Sequence, residues 1–182
     1  MVKIIPEQTL TNIAHAPKGM FTFKINARNQ FHPYEILNYT ENPTVILPFK
    51  RTASGTNILL SQHGFNLKNL HYIDILAKHI GSPLEHKNTK YLQKTTLSEI
   101  QTAIEDTMEK LGPGPKTLIL SDFHSIAPHH GTLKTQRFID HLSKKMEGRM
   151  TKTIVLVNHR SLPIEISKYL FTHSEEIVEI PK

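Results

Sequence analysis

Two short apolar runs separated by a helical segment form the most informative pattern of this chain. The runs cover residues 117–121 and 153–157, and each is followed by polar residues. Apolar runs of this length, with β-branched members and no polar face, are typical of strands buried on both sides of a parallel sheet. The intervening segment at 133–146 carries apolar residues at helical spacing. The pattern therefore predicts a βαβ unit with a right-handed crossover.

Polar residues follow both predicted strands, at the ends where a βαβ unit binds its ligands. They are Asp122 and His124 after the first strand, and Asn158 and His159 after the second. Ligands of open parallel sheets bind beyond the carboxyl ends of the strands. The chemistry of this chain is therefore expected near these four residues.

The rest of the chain beyond residue 43 predicts further elements of the same kind. In chain order they are a strand at 44–49, a helix at 57–63, a strand at 70–76, a helix at 97–111, a helix at 163–170 and a strand at 176–180. The segment at 70–76 could instead begin a helix that runs to Ile80, because periodicity does not resolve short apolar runs. Thr96 and Glu99 form a capping box that marks a helix start. Together these elements predict an α/β fold, with a mainly parallel sheet of about five strands and helices on both faces.

Residues 1–43 predict a different kind of structure. The segments 2–5 and 20–25 have strand character, and the turn residues 16–19 lie between them. A small hairpin or a pair of edge strands is expected. The predicted organisation is therefore a β-rich N-terminal extension at 1–43 and an α/β domain at 44–182.

Composition narrows the class of protein. The chain has 182 residues and no cysteine, which suits one domain with an extension and excludes disulfides and thiolate chemistry. No apolar run approaches the roughly 20 residues that span a bilayer, so a soluble cytoplasmic protein with no membrane partner is expected. The net charge of +6 is spread along the chain, and it permits phosphate-bearing partners without requiring them. A solvated basic surface is favoured over a dedicated nucleic-acid face.

The connection after the predicted strand at 44–49 has the layout of a phosphate-binding turn. Such turns present backbone N–H groups, a lysine and a hydroxyl to phosphates and magnesium. This loop lacks the G-x-x-x-x-G-K-[ST] sequence, since Gly55 is its only glycine and Thr56 stands where the motif has lysine. Lys50 and Arg51 supply charge at the other end of the loop. A plain strand-to-helix connection is therefore favoured over ATP hydrolysis, which depends almost wholly on electrostatic positioning.

The order of these elements resembles the second half of the core of RecA-like ATPases, and in particular the KaiC-like group common in archaea. The resemblance rests on strands that end in Ser121-Asp122 and Asn158-His159-Arg160, on loop residues 125–128, and on the last strand at 176–180. In that family the first of these strands ends in the Walker B aspartate, and the next ends in a residue that senses phosphate. The resemblance implies that Asp122 is the Walker B acid and that Asn158 or His159 is the sensor.

The same resemblance puts the Walker A loop at residues 50–56, where the motif is degenerate. It implies ATP or ADP with magnesium as the cofactor, and a non-hydrolysing nucleotide-binding, regulatory or assembly role. It also implies a homo- or hetero-oligomer, and together with the basic composition it allows association with nucleic acid. The residues implied in cofactor binding are Lys50, Arg51, Ser54, Gly55, Thr56, Asp122 and Asn158.

A metal site is the alternative interpretation of the loop after residue 121. Asp122, His124, His129 and His130 offer enough oxygen and nitrogen ligands for zinc or manganese. A metal held there could activate water, which would make the chain a metal-dependent hydrolase. The spacing matches no standard signature, so histidines that face the solvent are favoured over ligands. No serine lies in a nucleophile elbow, and no catalytic residue is assigned.

Overall fold

The computed structural model describes residues 5–26, 29, 31–81 and 86–180, apart from the side chains of residues 127 and 159. Within these residues the chain forms a seven-stranded sheet. The strands are β1 (Gly19–Lys24), β2 (Thr44–Pro48), β3 (Leu70–Asp74), β4 (Thr89–Tyr91), β5 (Lys116–Ser121), β6 (Thr151–Val157) and β7 (Glu176–Glu179).

Helices of two kinds accompany the strands. The α-helices are α1 (Glu7–His15), α2 (Ala53–Gln62), α3 (Ala77–Ile80), α4 (Leu97–Lys110), α5 (Ala127–His130), α6 (Thr132–Gly148) and α7 (Ile164–Thr172). Short 3₁₀ helices form at η1 (His32–Asn38), η2 (Phe123–Ser125) and η3 (His159–Ser161). None of the described helices has both the length and the apolar character that a membrane span requires.

The strands of the sheet are all parallel, in the order β4-β3-β2-β5-β6-β1-β7. β5 and β6 lie side by side and α6 lies between them in the chain, which confirms the βαβ unit predicted from the two apolar runs. The predicted α/β class is likewise confirmed. The described sheet has seven strands where about five were expected.

Two hydrophobic cores lie on the two faces of the sheet. Alternate residues of a strand point to opposite faces, so Val45 and Leu47 of β2 enter one core while Ile46 enters the other. Residues of α4, α6 and α7 cover the first core, and residues of α1, η1 and α2 cover the second. The strands are therefore buried on both sides, which explains their nearly continuous apolar sequences.

The N-terminal region corrects the predicted β-rich extension at residues 1–43. β1 is an inner strand that pairs in parallel with β6 on one side and β7 on the other. The amphipathic helix α1 precedes it and buries Leu10, Ile13 and Ala14 in the second core. A hairpin or a pair of edge strands was expected here, yet Thr22 is buried together with its apolar neighbours. Of the strand predicted at 2–5, residues 2–4 lie outside the described part of the chain.

The helices α2 and α4 each begin directly after a threonine that caps them. The predicted start of α4 is confirmed, because Thr96 Oγ1 accepts a hydrogen bond from Glu99 N at 3.3 Å. The Glu99 carboxylate accepts from the Thr96 hydroxyl at 3.1 Å, where a full capping box would have it accept from the Thr96 backbone N–H. α2 begins at Ala53, four residues before the predicted start, because Thr52 caps it and accepts from Gly55 N at 3.1 Å. A side-chain cap of this kind was not recognised in the degenerate loop sequence.

The region from 70 to 80 contains both the strand and the helix that the sequence left open as alternatives. Residues 70–74 form β3, and the chain then turns into the short helix α3, which ends at Ile80. No strand was predicted in the following segment, but Thr89–Tyr91 pairs with β3 as the edge strand β4. A strand of three half-buried residues has no apolar run that would reveal it in the sequence.

Candidate functional site

Two crevices form at the carboxyl edge of the sheet, where neighbouring strands continue to opposite faces. β2 continues into α2 on one face, whereas its neighbour β5 continues towards α6 on the other. In the same way β1 continues into η1, whereas its neighbour β6 continues towards α7. Such switch points are where open parallel sheets bind ligands. We call them the β2/β5 crevice and the β6/β1 crevice.

The β2/β5 crevice brings together four of the residues predicted from the sequence. Arg51 Nη1 lies 3.5 Å from Asp122 Oδ2, and Lys50 Nζ lies 2.9 Å from His124 Nε2. Asp122 and His124 are buried, with 6% and 7% of their surfaces exposed, while Lys50 is exposed. The crevice therefore holds two cationic side chains and an imidazole around one carboxylate.

The hydrogen bonds of His124 determine where its ring carries a proton. The backbone N–H of Asn158 donates to Nδ1 at 3.2 Å, so Nδ1 must be the unprotonated nitrogen. Burial lowers the pKa of His124, the Lys50 ammonium lowers it further, and Asp122 opposes both effects. In the neutral ring the proton is then on Nε2, which faces the Lys50 ammonium at 2.9 Å. Two donors thus face each other, and an acceptor atom beside them would satisfy both.

Aromatic residues that the sequence analysis did not select line the same crevice. Tyr34 of η1 is buried, shares a hydrogen bond with Ser121, and has a pKa raised mainly by burial. The Arg51 guanidinium lies over the ring of Phe31, 5.6 Å from the ring centre. No local signal identifies these residues, because η1 reaches the crevice only by crossing from β1 to β2 over two intervening strands.

Asp74 occupies the start of α2, the position predicted for a phosphate. Its Oδ2 accepts a hydrogen bond from Ala53 N at 2.6 Å, and its Oδ1 accepts from Leu76 N and Ala77 N at 2.8 Å each. Only 1% of its surface is exposed. Helix starts attract anions through their free N–H groups, and here a carboxylate of the protein already serves as that anion. No local pattern indicates this contact, because Asp74 ends a different strand.

The remaining predicted loop residues lie in the first turn of α2. These are Ser54, Gly55 and Thr56. Gly55 N donates to the capping Thr52, and the Thr56 hydroxyl is buried and lacks a hydrogen-bond partner among the described residues. Because Ala53 N and Gly55 N both donate within the protein, this turn does not present the row of free N–H groups that a phosphate loop needs.

The β6/β1 crevice is organised by asparagines on the side of β1. Asn26 N donates to Asn29 Oδ1 at 2.7 Å, and Asn29 Nδ2 donates to the carbonyl of Ile180 at 3.3 Å. These bonds tie the segment after β1 to the end of the chain after β7. Neither asparagine was predicted from the sequence, because the segment after β1 has no clear hydrophobic pattern and the partner of Asn29 Nδ2, Ile180, lies more than 150 residues away in the chain.

Asn158, one of the two residues implied as the phosphate sensor, lies between the two crevices. Its Oδ1 accepts from Arg160 N at 3.2 Å, and its backbone N–H donates to His124. The side chain of His159, the other implied sensor, lies outside the described part of the chain. Asn158 therefore links the two crevices through its backbone.

The predicted metal ligands fall in two separate places. Asp122 and His124 lie in the β2/β5 crevice, whereas His129 is exposed and His130 lines a groove between α4 and α6. Burial, His129 and Lys134 all lower the pKa of His130. Across the described residues, no three histidine, aspartate or glutamate side chains gather as a group that could hold a metal. The geometry thus does not support the four-ligand site of the alternative interpretation.

Comparison with known proteins identifies the fold. No protein-family description and no curated protein matches the chain. Among solved structures, it is similar to PH0250 from Pyrococcus horikoshii OT3, with a TM-score of 0.67, 13% identity, and coverage of 98% of this chain and 89% of that one. It is also similar to KaiC-like PH0186 from the same organism, with a TM-score of 0.56, 11% identity, and coverage of 88% and 68%.

A third solved structure extends the comparison to an ATPase domain of the same architecture. That ATPase domain matches with a TM-score of 0.57 and 8% identity, over 92% of this chain and 71% of the other. At these identities the likeness concerns the fold alone. The chain therefore has a RecA-like α/β fold, and the resemblance predicted from the sequence is confirmed at that level.

Proposed function

We propose that this chain is a RecA-like regulatory module that binds a phosphate-bearing ligand in the β2/β5 crevice without hydrolysing it. The observation that carries the proposal is the pair of donors formed by Lys50 Nζ and His124 Nε2, 2.9 Å apart. A phosphate oxygen would accept from both, and charge-assisted bonds of this kind are the strong ones. Arg51 adds a second cation, so two cations and one carboxylate, Asp122, surround this pair of donors, while Asp74 is engaged by the backbone N–H of Ala53.

The absence of hydrolysis follows from what surrounds the predicted phosphate loop. Phosphoryl transfer depends on a cradle of backbone donors, a lysine and a held magnesium ion. At the start of α2 the N–H of Ala53 already donates to Asp74. Asp122, the carboxylate implied as the Walker B acid, lies against Arg51. A cation there competes with magnesium for the same oxygen, so the crevice suits binding better than catalysis.

A regulatory role is supported by the way the crevice is linked to its surroundings. A ligand between Lys50 and His124 would hold the loops after β2 and β5 together, and His124 is bonded to the backbone of Asn158 after β6. Binding of the ligand would therefore affect the β6/β1 crevice through the imidazole of His124, which is bonded to Asn158. Assembly into a homo- or hetero-oligomer, and association with nucleic acid, belong to the same proposal.

Calorimetric titration tests the proposal with ADP, ATP with magnesium, and inorganic phosphate. We expect saturable binding to the wild-type chain, weakened about tenfold or more by Lys50→Ala, because a charge-assisted bond is lost. Lys68→Ala is the matched control, since Lys68 is an exposed lysine just before β3, at the opposite edge of the sheet. No binding of any of these ligands, or equal weakening by both substitutions, would contradict the proposed site.

Phosphate release from ATP is measured on the same samples. We expect none above the level of a blank. Turnover that is lost in Asp122→Asn would contradict the non-hydrolysing part of the proposal while leaving ligand binding intact.

A further inference from the structure

A basic groove lies between α4 and α6, on the face opposite to α1 and α2. Its cavity measures about 490 Å³. The residues that define this α4–α6 groove are Leu97, Gln101, His130, Lys134, Arg137 and His141. A volume of this size accommodates several side chains of a bound partner.

The α6 wall of the groove carries a stripe of basic residues. Lys134, Arg137 and His141 follow one another at intervals of three or four residues, which aligns them along one side of α6. His130, the last residue of α5, lines the same groove. Lys134 and Arg137 are exposed, and neither forms an ion pair with another described residue. The pKa of His130 is lowered by burial and then by its cationic neighbours. The charges of Lys134 and Arg137 are therefore not compensated by a described side chain, whereas His141 is paired with Glu105.

The α4 wall of the groove is neutral. It consists of Thr96, Leu97, Ser98 and Gln101, with the buried ring of Phe138 beneath. Farther along α4, Glu105 Oε1 lies 2.7 Å from His141 Nε2, so the nearby carboxylate is already paired. The α6 wall of the groove is thus basic, whereas the α4 wall has uncharged polar side chains and one apolar side chain, Leu97.

We propose that the α4–α6 groove docks an acidic amphipathic helix of a partner protein. Acidic residues on one side of such a helix would contact Lys134 and Arg137, while apolar residues beside them would contact Leu97. Docking of an amphipathic helix into a groove between two helices is a common mode of peptide recognition. Single-stranded nucleic acid fits less well, because it needs exposed aromatic rings for stacking and the only ring of the described groove besides histidine is the buried Phe138.

A helix docked in the α4–α6 groove would not contact the ligand of the β2/β5 crevice. Lys134 and Arg137 are not among the residues that line that crevice, so the two proposals fail independently.

Fluorescence anisotropy measures the binding of a labelled synthetic peptide to the groove. The peptide is long enough for about four helical turns. As a helix it carries glutamates along one side and leucines along the adjacent side. The comparison probes are a peptide of the same composition in scrambled order and an oligothymidylate of equal charge. The protein is the full chain, as wild type, as Lys134→Glu with Arg137→Glu, and as Lys68→Glu with Lys168→Glu. The last pair makes the same change of charge at exposed lysines outside the groove.

We expect the amphipathic peptide to bind the wild type more tightly than the scrambled peptide does. The groove variant should weaken this binding by about tenfold or more, and the control variant by no more than about threefold. Equal effects of the two variants would overturn the proposal, since the charge would then act without a defined site. Equal binding of the scrambled peptide, or preferred binding of the oligothymidylate that depends on Lys134 and Arg137, would overturn the choice of an acidic helix.

Discussion

Replacement of Asp74 by asparagine is expected to destabilise the fold strongly, although the two side chains have nearly the same volume. The Asp74 carboxylate accepts three backbone hydrogen bonds, from Ala53, Leu76 and Ala77. Through these bonds it holds the starts of α2 and α3 against the end of β3. An asparagine has one acceptor oxygen, and its amide nitrogen can only donate.

The magnitude follows from the two ways in which the asparagine can be oriented. If its oxygen accepts from Leu76 and Ala77, its NH₂ group faces the N–H of Ala53. The opposite orientation loses two bonds instead of one. A hydrogen bond to a charged group contributes about 1.5–3 kcal/mol, and a buried donor left without a partner costs about 1–3 kcal/mol. Because the site is almost wholly buried, we expect a loss of about 3 kcal/mol.

Urea unfolding followed by circular dichroism measures this loss. With a slope of about 2 kcal/mol per molar urea, the midpoint of Asp74→Asn should fall by about 1.5 M. Asp106→Asn is the matched control, because Asp106 is a half-exposed carboxylate whose partner is the surface Lys90 at 2.7 Å. Its midpoint should change far less. Equal shifts for the two variants would refute the conclusion that Asp74 stabilises the helix starts.

Three further predictions concern stability, and each is checked by the same unfolding assay. Gly19→Ala should destabilise by about 1–3 kcal/mol, because Gly19 has φ +114° and a Cβ there would meet Glu175, whereas Gly148→Ala, with nothing within 4 Å, should be neutral or stabilising. Burial lowers the pKa of Lys152 to about 8 from 10.5, so above pH 8 the unfolded chain binds a proton that the folded chain has lost. The wild type should therefore gain up to about 3 kcal/mol relative to Lys152→Met as the pH rises to 10.5, and an unchanged difference would contradict this sign. Thr96→Ala should cost about 1 kcal/mol, because it removes the N-cap of α4, and restoration by serine would separate capping from other effects.

Local patterns in the sequence were sufficient for the class of fold. The strands β5 and β6 and the crossover α6 were predicted from apolar runs and helical spacing, and the start of α4 from its capping box. These features depend on neighbours within a few residues, so they can be recognised without the tertiary structure. The RecA-like resemblance followed from their order along the chain.

The location of the polar residues was also predictable in part. Asp122, His124 and Asn158 follow adjacent parallel strands, and the carboxyl ends of such strands meet at the same edge. Their mutual contacts were not predictable, because the hydrogen bond from Asn158 N to His124 depends on the relative register of β5 and β6.

Only the tertiary structure decided the position of β1 and the role of Asp74. The hydrophobic pattern of β1 suits an edge strand as well as an inner one, and its place between β6 and β7 depends on partners at the far end of the chain. Asp74 ends β3 yet accepts a hydrogen bond from the first residue of α2, since the parallel pairing of β2 and β3 brings their carboxyl ends together. The sequence by itself determined the strands β2, β5, β6 and β7 and the helices α4, α6 and α7, because hydrophobic period and capping act locally, but it did not reveal α1 or β4. Strand order and the pairing of polar groups between distant segments required the assembled sheet, because these contacts form only when the segments are packed together.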